Sequence, residues 1–355
     1  MRTSLIVLAI AGMLITNARA QSGDSLKVEW SAFIDSYYMY DFNSLPDNVA
    51  SHPFTQPLRN NEFNLNLAHF EARVISRDVR GVLSVHTGTS VKATYAGESN
   101  NRELSQLIHE AWAGYQLATG LWIDAGIFAA PYTQEVWLTK DNKTYTHSIL
   151  AEFVPFYQAG VRAFWQPVET FNATGYAING WQNIAETNRD KAVGLSLAFS
   201  PISYVSFAYN NFVGNEQPAG QPSALRIFND ICLRIGEEGK VQADLTYDFG
   251  TENKDSADRV WMGAAIVARV PLGDKIAFGV RGEYYKDQYQ IIYHTAGTDG
   301  FDGYGASLNF DVRPGKGLLW RTEGRYIRSK TDVFPSDRGL LNHTAFVVSS
   351  LSLGF

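Results

Sequence analysis

The 355-residue sequence is 45% hydrophobic, 13% aromatic and only 19% charged, with too many rings and too little charge for a disordered chain. Its formal charge of -6 argues against a basic nucleic-acid binder, and no nucleic acid is expected as a partner. A single cysteine, Cys232, excludes an intramolecular disulfide framework and a cysteine-built zinc or iron-sulfur cage.

In chain order, residues 1–20 come first. Arg2, an apolar run from Leu5 to Ile15 and the small-x-small sequence Ala18-Arg19-Ala20 read as a signal peptide cleaved before Gln21. Export is the expectation, with residues 21–355 forming one domain. No later segment has the roughly 20 consecutive apolar residues of a spanning helix.

From there the pattern has a period of two, the spacing of side chains on opposite faces of a strand. Strands are predicted near 28–42, 60–77, 80–96, 104–119, 121–130, 155–166, 168–181 and 190–200. Eight more are predicted near 202–213, 223–236, 239–250, 258–270, 274–288, 303–313, 317–329 and 341–355. Their connections alternate. The stretches 41–59, 131–155, 211–223, 250–258, 287–303 and 330–340 are long, whereas 77–81, 166–167, 236–239, 271–274 and 313–317 are tight. About sixteen antiparallel strands with tight turns on one rim and loops on the other predict an all-β transmembrane barrel of the outer membrane. Closure leaves no unpaired edge in hydrocarbon, where each unsatisfied backbone group costs several kcal/mol. The final run, Val347 to Phe355, ends in an aromatic that resembles the signal read by the barrel-assembly machinery. Tyr37, Tyr38, Tyr40, Trp112, Trp122, Trp165, Trp181, Trp261, Trp320 and Tyr326 are expected to contribute to interfacial girdles.

With the apolar face toward lipid, the polar face lines the interior. Asp35, Glu110, Asp124, Arg162, Arg226, Asp230, Arg281, Glu283, Arg321, Glu323 and Arg325 are the wall candidates, and His86, Lys92, Arg234 and Asp244 are placed beside them. Opposed acidic and basic rows would create a transverse field that filters ions; the alternative is that they neutralise one another to stabilise the wall. The segment 131–154 mixes Glu135, Lys140, Asp141, Lys143, His147 and Glu152 with Trp137, Tyr145 and Phe153. That mixture suits a constriction folded into the lumen, or a loop packed over the rim.

Several pieces resemble the OmpL-like putative beta-barrel porin-2 family of bacterial outer-membrane proteins. They are Phe33-Ile34-Asp35-Ser36-Tyr37-Tyr38 with Tyr40-Asp41-Phe42-Asn43, Phe63 to Ala68, and Arg80-Gly81-Val82-Leu83 with Gly88. Glu110-Ala111-Trp112, Asp124-Ala125-Gly126 leading to Glu135, Pro155-Phe156-Tyr157, Gly160-Val161-Arg162 and Asn179-Gly180-Trp181 continue the likeness. The resemblance implies a transport barrel and marks no catalytic residue.

The seven histidines make no His-x-His or His-Glu-x-x-His arrangement, and His109 and Glu110, adjacent on a strand, should face opposite ways. Neither a metal site nor a cofactor is expected, and Ser84, Ser105, His69 and His109 supply no convincing nucleophile with its base. The expected function is passive diffusion of small hydrophilic solutes or ions through a charged lumen, without enzymatic chemistry. Its surroundings are outer-membrane lipid, with homo-oligomers left open. The alternative is a closed or narrow surface barrel serving adhesion or envelope structure.

Overall fold

A computed structural model describes residues 26–43, 45–98, 105–254 and 257–355. The expected leader, 1–20, lies outside these residues. The strands are β1 (Lys27–Asp41), β2 (Phe63–Ile75), β3 (Val79–Thr87), β4 (Ile108–Ala118), β5 (Leu121–Ala129) and β6 (Tyr157–Val168). They continue with β7 (Phe171–Ile178), β8 (Ala192–Ile202), β9 (Val205–Asn215), β10 (Leu225–Ile235), β11 (Gln242–Lys254) and β12 (Ala257–Pro271). The last are β13 (Ile276–Asp287), β14 (Phe301–Gly315), β15 (Leu318–Ser329), β16 (Phe334–Ser336), β17 (Gly339–Leu341) and β18 (His343–Gly354).

Among the described residues, sixteen of these strands form one closed antiparallel barrel, each beside its sequence neighbour, and β16 and β17 form a separate hairpin on the β15–β18 loop. The barrel shuts where β18 returns to β1, with Asp35 opposite Ser352 and Tyr37 opposite Ser350. The sequence periodicity explains the orientation. On β15, Arg321, Glu323 and Arg325 are buried while Trp320 and Tyr326 are exposed. On β10, Arg226 and Asp230 are buried while Leu225, Ile231 and Ile235 are exposed. Charge lies inside and aliphatic and aromatic side chains outside, the reverse of a water-soluble sandwich. A continuous apolar outer surface of this kind fits lipid, since soluble monomers rarely expose patches above a few hundred Å².

The expected strand near 80–96 stops at Thr87. Gly88 has φ +142°, and a Cβ there would lie 2.2 Å from the Asn66 carbonyl oxygen. The chain turns instead into a short helix, α1 (Thr89–Thr94), held when Ser90 Oγ donates to the Asn66 carbonyl at 2.8 Å and Thr89 Oγ1 to that of Leu65 at 3.1 Å. Lys92 therefore sits exposed on a helix rather than on the lumen wall. A second correction concerns 250–258, expected as a long connection. β11 and β12 stay paired out to Lys254 opposite Ala257. The apolar alternation that marks the lipid band ends earlier, so Thr251 to Asn253 look like a loop although their backbone remains in the ladder.

The aromatic residues divide between the two faces. Tyr40, Trp165, Trp320 and Tyr326 are exposed on the outside, whereas Tyr37 and Trp261 are buried within the barrel. Inside, Trp181 stacks on Tyr132 at 5.8 Å and meets Phe212 and Phe228 edge-on. The Trp261 indole lies over Gly250, its partner on β11, where a Cβ would come within 2.0 Å of the ring.

Candidate functional site

The connection from β5 to β6 runs through the barrel rather than over it. Tyr145 Oη donates to Asp35 on β1 at 3.1 Å, and its backbone amide donates to Asn309 on β14 at 3.2 Å. The Thr146 amide donates to Glu323 on β15 at 2.7 Å, the Ile149 amide to Glu283 on β13 at 2.6 Å, and Lys143 pairs with Asp244 on β11. Only a segment lying in the lumen can meet the inner faces of all these strands. Its α-helical turn, α2 (Ile149–Glu152), is capped by Ser148, whose Oγ accepts from the Ala151 amide and donates to Glu135.

Three arginines hold this segment. Arg321 donates to the Thr139, Asn142 and Thr144 carbonyls at 2.6, 3.0 and 3.1 Å while its Nε and Nη2 grip both oxygens of Asp311. Arg281 bonds the Thr146 carbonyl at 2.6 Å and Glu323 at 2.6 Å, with Glu135 at 3.7 Å. Arg325 bonds the His147 carbonyl and Glu283, each at 2.6 Å. The side chains of Arg281 and Arg325 are 0% exposed. Buried ions are tolerated only with this density of partners, because losing one partner of a buried pair costs about 3–5 kcal/mol. His147 is part of the same anchorage. Burial opposes its charge, yet Glu152, Glu135 and the Val136 carbonyl outweigh that penalty and raise its pKa.

The opposite wall keeps contact with water. Arg80 and Arg162 converge on one carboxylate, Asp124: Arg80 contributes bonds of 2.9 and 2.8 Å and Arg162 one of 2.8 Å. Arg162 also lies 4.7 Å from the Trp112 ring and 4.6 Å from that of Phe128, and Arg80 4.5 Å from Trp122, contacts that fix the planar cations in place. Glu110 accepts from the Trp112 indole at 2.8 Å. Farther round, Arg234 takes both oxygens of Asp244, which Lys143 also uses. In each place two cations share one carboxylate, Asp124 or Asp244. Arg80, Arg162 and Arg234 are 22%, 18% and 40% exposed.

The sequence-derived candidates thus fall into groups. Arg281, Glu283, Arg321, Glu323 and Arg325, with Glu135, form the buried anchorage, to which Asp35 contributes from β1. Asp124, Arg162 and Glu110 belong to the wetter wall. Arg226 pairs with Glu252 at 2.6 Å below Trp181 and Trp261, and Asp230 accepts from Asn210 and the Thr133 amide. Arg80 and Asp311 escaped the candidates, and Lys143 was named within 131–154 without its partner on the wall. Arg80 was findable, since Arg80, Val82, Ser84 and His86 share one face; the partner of Lys143 was not.

His109 and Glu110 correct another expectation. Between Ser84 and Val85 the register jumps from Glu110 to Ile108, so His109 is the extra residue of a bulge. Strict alternation fails there, and His109 joins Glu110 on the inner side, its Nδ1 3.1 Å from Ser84 Oγ. Ser84 is fully buried and accepts from the Glu110 amide at 3.0 Å.

Solved structures with this architecture include an anion-selective porin from Comamonas acidovorans, with TM-score 0.63 and 10% identity over 93% of this chain and 100% of that one. Salmonella typhi OmpF, in complex with daunomycin, gives 0.58 and 12% over 92% and 97%. Pseudomonas putida OprB at high pH gives 0.57 and 10% over 92% and 94%. At such identities the likeness is one of fold. No protein with a curated description matches the chain. The model of one family, however, matches residues 27–354, and the chain accordingly belongs to the family described as putative beta-barrel porin-2, OmpL-like.

Proposed function

We propose that this protein is an outer-membrane porin through which small hydrophilic solutes or ions diffuse passively, with a bias toward anions. The observation that carries the reading is the asymmetric lumen. A segment anchored on β11, β13–β15 and β1 narrows the barrel from one side, and the facing wall presents Arg80 and Arg162 to water, two cations on the single carboxylate of Asp124. Fixed charge at a narrowing selects ions by sign. That an anion-selective porin is among the structural neighbours is consistent with this bias. Transport of this type needs no cofactor and no covalent step, and the protein is not an enzyme in this reading. Export through the leader, insertion through the barrel-assembly machinery by the strand ending in Phe355, and residence in outer-membrane lipid belong to the same proposal, and side-by-side homo-oligomers are compatible with it.

The test is single-channel conductance in planar bilayers, with reversal potentials across a salt gradient. Stable ohmic steps with an anion-selective potential support the proposal. A cation-selective potential would remove the bias. Silence from protein shown to be folded would favour the second reading, a closed barrel for adhesion or envelope structure. The specific observation favouring that reading is the packing of Tyr132, Trp181, Phe212, Phe228 and Trp261 inside the loop-side half.

A further inference from the structure

Three imidazoles from three successive strands meet on the inner wall. His69 on β2 stands opposite His86 on β3, and the bulge on β4 delivers His109 beside both. His69 Nε2 lies 3.1 Å from His109 Nδ1, and the rings of His86 and His109 are 5.2 Å apart between centroids. Glu71, on the same face of β2 as His69, completes a set whose ligand atoms all lie within 4.8 Å of one another. Arg73 makes both of its bonds to Glu71 Oε1, which leaves Oε2 for another partner.

The pocket is conspicuously unsatisfied. His69 Nδ1, both ring nitrogens of His86 and Trp137 Nε1 are buried with no hydrogen-bond partner. Buried polar atoms are ordinarily paired, and the three orphaned imidazole nitrogens, unlike the donor-only indole of Trp137, are of the type that can ligate a metal ion. Imidazole and carboxylate donors suit a borderline divalent ion of the zinc type. Two nitrogens on one such ion, each at about 2.0–2.1 Å, stand roughly 3 Å apart, close to the observed separation of His69 and His109.

We propose that His69, His109 and Glu71 bind one divalent transition-metal ion, with His86 beside them as a fourth donor. A cavity of about 320 Å³ at the short-turn end, lined by His69, Ser31, Lys140 and Arg313, is the entry path. Lys140 and Arg313 at that entry, and Arg73 on Glu71, are the cations working against the ion. The bound ion joins β2 to β4 next to Trp137, at the start of the inward segment.

The experiment uses the full mature barrel, folded in detergent and stripped with chelator, titrated with Zn²⁺ by calorimetry and with Co²⁺ by visible absorption. One ion per chain and tetrahedral ligand-field bands are expected. His69→Gln, His109→Gln and Glu71→Gln should each weaken binding by about 100-fold or more, judged against the losses that even outer-shell changes produce. His343→Gln, at the opposite end of the barrel at the start of β18, should bind as the unaltered chain does. Heat-dependent gel mobility establishes that each variant is folded. Absence of binding to the unaltered folded chain, or stoichiometric binding that survives the His69 and His109 changes together, overturns the proposal whatever the variants' stability.

Discussion

Arg162 and Arg281 carry the same guanidinium on the same inner face, yet their surroundings make them opposite tools. Arg162 shares Asp124 with Arg80, which can keep that carboxylate paired alone. Arg162→Glu should therefore leave the barrel assembled while moving the reversal potential toward cations, and a potential unchanged from the parent would remove Arg162 from the ion path. Arg281 lies among Glu283, Glu323 and Glu135. A carboxylate in its place adds a fourth negative charge, and even Arg281→Met strands Glu323; a loss of about 3–5 kcal/mol is expected, read as a lower unfolding midpoint in denaturant. The sequence made both residues equally visible as inward charges. It could not distinguish them, because exposure and anchorage depend on where the segment after β5 comes to rest.

At the scale of elements, the length of the β5–β6 segment and its mixture of rings and charges were legible, and so was the wall it faces. Its docking was not, since contacts such as Tyr145 to Asp35 and Arg321 to Asn142 join residues far apart in the chain and leave no periodic trace. Nor did alternation reveal the bulge at His109 or the helix after Gly88, where one backbone position decides the path. The segment also has a pH signature. The raised pKa of His147 means that its charged contacts with Glu152 and Glu135 contribute fully below the unfolded value near 6.5 and fade as pH rises through the higher folded value. Closing and reopening events in single-channel records should become more frequent on going to alkaline pH, and His147→Gln should flatten that dependence.

For the whole molecule, the decisive property is the inverted distribution of polarity, and this was the most readable feature because a strict period of two repeats in strand after strand. Its energetic consequence can be measured at one site. Ile266 faces outward near the middle of β12, whereas Val267 beside it faces inward. Ile266→Arg should cost about 2–4 kcal/mol in the folding equilibrium from urea into vesicles, the penalty for a cation at mid-membrane; a negligible change would place that position away from the midplane.

A ring made from a linear chain has one join unlike the rest, where its first and last strands meet and no turn ties them. Here that join is β1 against β18. The inward segment grips β1 through Thr139 and Tyr145 on Asp35, and grips β15, just past β18, through Arg321, Glu323 and Arg325. It is a clasp laid across the seam from within. The hoop is braced where it would otherwise split first, and the clasp cannot fasten until the last strand has arrived to bring both sides within its reach.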